Sequence, residues 1–213
     1  MKTDDLIEAL ACDARPVPAG GAARRIACCA GMGLAVTITV VALTLGFRPD
    51  LPGVYSDPAF LTRQAYTLSV AGFSALLLLR LGQPGAPLRL PLAGLAVTLL
   101  VVLGAVILEI SALGGAARLQ AWLGQSWQSC TLNVGLIGLT ATPFLFIAAR
   151  RLAPAKPGLA GFAAGLVAGA VAASAYGLFC TENAVSFLAS WYTLGILTTG
   201  AVGAIAGRYL LKW

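Results

Sequence analysis

The chain has 213 residues, of which 59% are apolar and 10% charged, and its mean hydropathy is +0.88. A soluble domain carries roughly a quarter charged residues, so this balance excludes one and points to a chain solvated by lipid. Histidine is absent and the net charge is +6, so histidine-based acid–base or metal chemistry is excluded; the charge needs a topological account before a nucleic-acid one.

The first 25 residues form a separate segment. Thr3 or Asp4 is placed to cap a short helix whose Leu6, Ile7 and Leu10 share one face, with Asp4, Asp5 and Glu8 opposite, until Arg15-Pro16-Val17-Pro18 stops it. A helix this short is marginal in water, so the pattern suggests ordering on a partner. Burying three apolar side chains offers about 5–8 kcal/mol gross, much of it offset by association costs, so the acidic face suits a basic partner. A solvated tail is the alternative.

Residues 26–213 read as a transmembrane domain. Six apolar runs are long enough to cross a core of about 30 Å: Ile26 to Phe47, Tyr66 to Leu81, Pro91 to Ile110, Leu132 to Ala149, Leu159 to Phe179 and Phe187 to Ala206. The second is the shortest. The first starts too late and runs too long for a cleaved signal peptide. Between the third and fourth runs, Leu119, Trp122, Leu123 and Trp127 recur at helical spacing, which predicts a surface helix acting as an aromatic belt or as a lid over Cys130. In the fifth, Gly161, Gly165, Gly169, Ala173 and Gly177 recur every fourth residue, and Gly203 with Gly207 repeats the pattern in the sixth. Such stripes let helices approach closely, inside one chain or across a homodimer.

Lysine and arginine set the orientation. Lys2, Arg15, Arg24, Arg25, Arg80, Arg89, Arg150, Arg151, Lys156, Arg208 and Lys212 fall on one side of the six runs, and only Arg48, Arg63 and Arg118 on the other. Cytoplasmic loops carry the excess, so both termini are expected in the cytoplasm of a multi-pass bacterial inner-membrane protein in contact with lipid, with no direct nucleic-acid binding. Glu109 and Arg80 lie at run ends and are expected to reach the interface. No acidic residue sits at mid-bilayer, which disfavours a small-solute transporter. No catalytic motif is present, so an enzyme is not expected.

Cys130 and Cys180 each stand where an apolar run meets a polar loop on the outer side. About 20 residues at 1.5 Å each carry either helix from the Arg150–Lys156 turn to that interface, so the pair shares a depth. Thiols facing an oxidising compartment can form a disulfide or take a soft metal ion; two unrelated interface cysteines are the alternative. No resident cofactor is expected beyond a transient metal ion at this pair. Cys28 and Cys29, near the cytoplasmic side, read as small packing residues or lipidation sites, and Cys12 is similar. A membrane thiol oxidoreductase is a rival reading that needs a second redox pair or a quinone site.

Several stretches, in order, resemble one family: Met1-Lys2-Thr3-Asp4-Asp5-Leu6-Ile7, Gly46-Phe47-Arg48-Pro49-Asp50-Leu51, the two outer cysteines, and Trp191-Tyr192 through Gly207-Arg208 to Trp213. Together they are similar to the six-span anti-sigma factors typified by the negative regulator of sigma F. The resemblance implies an N-terminal segment, here Thr3 to Leu10, that holds an extracytoplasmic-function sigma factor inactive. It also implies a periplasmic cysteine pair, here Cys130 and Cys180, needed for the response to metal stress such as chromate or cadmium. Arg63 stands where the family has a basic residue; Thr181 follows the second cysteine where proline is expected. On this reading a change at the thiol pair shifts the fourth and fifth helices, and the N-terminal helix loses its hold on sigma.

Overall fold

The computed structural model describes residues 3, 8, 20–48 and 51–212. Thr3 and Glu8 are helical and exposed. Asp4, Asp5, Leu6, Ile7, Leu10 and Cys12 lie outside the described residues. The structure is all-α, with six helices long and apolar enough to cross a membrane. The six spans are Gly21–Thr44, Pro58–Leu81, Arg89–Ala112, Trp127–Arg150, Pro157–Tyr176 and Val185–Leu210. Short helices Leu51–Val54 and Gly115–Leu123 lie between them, and the sixth span contains a π-helical turn, Leu188–Tyr192.

The fifth span is the axis of the bundle. Of its most apolar window 83% is buried, against 11% in the third span, which lies on the outside with Leu99, Leu100, Val101, Ile107 and Leu108 exposed. The sixth span packs most extensively on the fifth, followed by the fourth and second, and the first bridges the fourth and fifth. The cause is the glycine ladder. A Cβ at Gly165 would lie 2.5 Å from the Thr199 carbonyl oxygen, and one at Gly207 would lie 2.8 Å from the Gly161 Cα. Hydrogen at these positions lets two helix backbones touch, which is the main attraction available between helices when lipid is as apolar as the side chains. These stripes are therefore used within the chain.

The second span starts two turns before the apolar run does, at Pro58 and not near Tyr66. Asp57 accepts a hydrogen bond from the Ala59 N–H at 2.9 Å and Pro58 occupies the first helical position, a start signal that precedes the polar Thr62-Arg63-Gln64 stretch. The fourth span also begins earlier, at Trp127, which places Cys130 in its first turn. The surface helix is present as Gly115–Leu123, with Leu119 and Trp122 exposed.

Two apolar clusters fill the bundle. One, around Leu78, Leu145, Ala148, Ala149 and Ala164, lies toward the end that carries the Arg151–Lys156 connection. The other contains Cys130, Val134, Tyr176, Cys180, Phe187 and Tyr192, at the opposite end.

Candidate functional site

Cys130 is 0% exposed and Cys180 3% exposed, and the two belong to the same buried cluster. The Cys130 N–H donates to Ser126 O (2.9 Å), fixing the thiol at the head of the fourth span, while Cys180 sits one turn past the fifth, its N–H donating to Tyr176 O (3.0 Å). Each thiol lies within electrostatic reach of the other, and Cys28, Cys29, Cys130 and Cys180 are all free. Tyr176 and Tyr192 pack ring to ring at 5.8 Å, with Phe187 against Tyr192 at 6.5 Å, so the thiols sit in an aromatic wall.

Beside the thiols lies Arg63, 3% exposed. Its sequence position is among the few charges between the first and second apolar runs, as is that of Arg48; Arg63 lies inside the second span and both are buried, Arg48 at 7%. The Arg63 guanidinium donates to Cys180 O (2.8 Å), Gly177 O (3.4 Å) and Glu182 O, and its carbon lies 5.7 Å from the Tyr192 ring centroid. A buried guanidinium needs acceptors, and the chain just past the fifth helix supplies them as the main-chain carbonyls of Gly177, Cys180 and Glu182. Gly177 makes room: a Cβ there would lie 3.1 Å from the Arg63 Cδ. Arg48 approaches from the segment after the first span, with its main-chain N–H on Leu178 O (3.2 Å) and its Nη1 on Cys180 O (3.4 Å).

Two carboxylates lock neighbouring segments. Glu182 accepts from the Gln125 N–H (2.8 Å) and the Ser126 hydroxyl (3.2 Å), tying the Cys180 loop to the turn before Cys130. That turn depends on Gly124 at φ 58°, where a Cβ would lie 2.7 Å from Phe187 and 2.8 Å from the Glu182 carboxylate. Glu109, at the end of the third span, accepts from the Val185 and Ser186 N–H groups (2.9 and 2.7 Å). Half-buried at the span end, it satisfies unpaired donors where the sixth span begins.

The surface helix joins this end through tryptophan. Trp191 donates from its indole N–H to Trp122 O (2.8 Å), Trp122 donates to the Ser190 hydroxyl (2.9 Å), and the Trp127 and Trp191 rings stack at 5.3 Å. A cavity of about 350 Å³, lined by Phe47, Arg48, Gln125, Ser126, Cys180 and Glu182 among others, opens next to Cys180.

The fold thus brings together both outer cysteines, and around them Arg63, Arg48, Glu182, Tyr176 and Tyr192, which the sequence reading did not assign to the site. Arg63 carried a signal: Arg63, Tyr66, Thr67 and Val70 fall at helical spacing on one face, and all four are buried. Two thiols in one buried cluster are the groups here that can be oxidised to a disulfide or supply two soft ligands to a metal ion. Among the described residues, no group of three or more histidine, cysteine or acidic side chains is placed to hold a metal.

These features define a six-helix membrane protein with a buried thiol and guanidinium centre at one end of a glycine-packed bundle. Its class follows from comparison. The chain belongs to the NrsF family, described as negative regulator of sigma F, whose pattern it matches over residues 10–213. It is 39% identical to the anti-sigma-F factor NrsF of Caulobacter vibrioides and 35% identical to the probable anti-sigma-F factor NrsF of Azospira oryzae, each over the full length of both chains. No solved structure is significantly similar.

Proposed function

We propose that this protein is a membrane anti-sigma factor that sequesters an extracytoplasmic-function sigma factor at the inner membrane and releases it when a periplasmic cysteine pair senses a soft metal ion or an oxidant. Family membership supports the regulatory role and a sigma-factor partner. The observation that carries the sensing part is the meeting of Cys130 and Cys180 in one buried cluster, from positions fifty residues apart in sequence. The lysine and arginine bias supports an outward-facing cysteine end and cytoplasmic termini.

The sigma-binding surface is assigned to Thr3, Asp4, Asp5, Leu6, Ile7 and Leu10, whose apolar face needs a partner and whose acidic face suits a basic one. The soft ion acts as a signal and not as a resident cofactor: Cys130 and Cys180 supply two thiolates, and the cavity beside Cys180 gives a route in. Closing a bridge or binding an ion draws two buried elements together, so the tightly packed end of the bundle must rearrange, and the equilibrium moves toward the form that does not hold sigma.

The test is co-purification of the sigma factor with the membrane protein, before and after exposure to cadmium or to a thiol oxidant. Capture that falls on exposure, and does not fall in the Cys130→Ser and Cys180→Ser variants, supports the reading. Capture that responds equally with and without the cysteines overturns it.

A further inference from the structure

The Cys180 carbonyl oxygen receives two guanidinium groups from two different parts of the chain. Arg63 reaches it from the second span at 2.8 Å and Arg48 reaches it from the segment after the first span at 3.4 Å. Neither contact is at the sulfur. Among the described residues, the side-chain hydrogen bonds of Arg63 all go to main-chain oxygens, those of Gly177, Cys180 and Glu182. A planar fork with several fixed donors suits such a cluster of carbonyls, whereas a lysine ammonium is a single point of charge. The fork therefore fixes the path of residues 177–182, and with it the place of a thiol on a stretch that has left its helix.

We propose that Arg63 is the positioning residue of the two-cysteine site, with Arg48 as its second tether: it holds the main chain at Cys180 so that the Cys180 thiol stays buried against Cys130 until the signal arrives. The inference rests on the reading that the two thiols act together. Arg63 takes no part in the chemistry. In the oxidative step an azodicarboxamide oxidant accepts two electrons and two protons and becomes its hydrazine form, while two S–H bonds break and one S–S bond forms.

The experiment uses the full chain in membranes, with Cys12 and Cys28 replaced by serine and Cys29 kept as a buried reference thiol at the other end of the bundle. Labelling by a small maleimide is followed at Cys180 and at Cys29, together with disulfide yield under the azodicarboxamide. Arg63→Gln is expected to raise the labelling rate of Cys180 relative to Cys29 about tenfold, the scale of losing a hydrogen bond to a charged group, and to lower the yield of the bridge. Arg63→Lys is expected to fall between. Equal acceleration at Cys29 and Cys180 would show general loosening, and unchanged labelling would show that Arg63 holds nothing; either overturns the proposal. Should Arg63→Gln fail to accumulate, Gly177→Ala, which crowds the Arg63 stem, is tested in its place by the same ratio. If unsubstituted protein forms no bridge, the paired-thiol reading fails, while the labelling ratio still tests the tether.

Discussion

Cys130 and Cys180 share one buried cluster because Cys130 stands in the first turn of the fourth span, Cys180 one turn past the fifth, and the two helices run side by side from a short turn at Arg151–Lys156. If they act as one unit, Cys130→Ser, Cys180→Ser and the double variant share one signalling defect, so the coupling energy in a double-mutant cycle is about as large as either single effect. A sigma-dependent reporter, induced with cadmium, measures this; additive losses count against a unit. The position of these thiols was readable, since a cysteine at a border between apolar and polar residues has a definite depth. Their surroundings were not. The partners of Arg63 and Glu109 were hidden because sequence periodicity does not show which main-chain groups of a distant segment a side chain will meet. For Glu109, Glu109→Gln keeps the shape but removes the charge that faces two N–H groups. It is expected to cost about 1 kcal/mol and to lower the melting temperature of the detergent-solubilised protein.

The glycine stripes were the most legible part of the fold, because a four-residue repeat of small residues marks a helix face without reference to anything distant. Gly165→Val places two methyl groups where the Thr199 carbonyl and Gly200 Cα already lie, and overpacking of this kind costs about 1–3 kcal/mol or forces the helices apart. Reduced accumulation and a lower melting temperature check it; Gly104→Val, with nothing within 4 Å of its Cβ position, is the control expected to be silent. The early start of the second span was not legible from hydropathy, because Thr62, Arg63 and Gln64 interrupt the apolar run; Asp57 and Pro58 held the information instead. At the N-terminal segment, Leu6→Asp, Ile7→Asp or Leu10→Asp puts a carboxylate on the face proposed to bind sigma, where burial without a partner is costly. Each is expected to release sigma at unchanged membrane abundance, and undiminished co-purification would place the binding surface elsewhere.

The whole molecule was legible as six apolar crossings, and its proposed orientation rests on the distribution of eleven basic residues against three. A reporter active only in the cytoplasm should work when fused to either terminus; periplasmic activity of a C-terminal fusion would overturn the proposed orientation. What hydropathy could not reveal is which crossing lies at the centre, since all six are apolar and only packing separates them. The central helix is the fifth to be made. A ribosome working from the N-terminus therefore delivers the first, second and fourth helices before the surface they share exists. Until Pro157–Tyr176 and its glycine-matched sixth partner arrive, the earlier helices have only one another and lipid to rest against. The keystone of the bundle is thus made after four of the helices that frame it, and a chain cut short before residue 157 has crossings but lacks the helix they pack around.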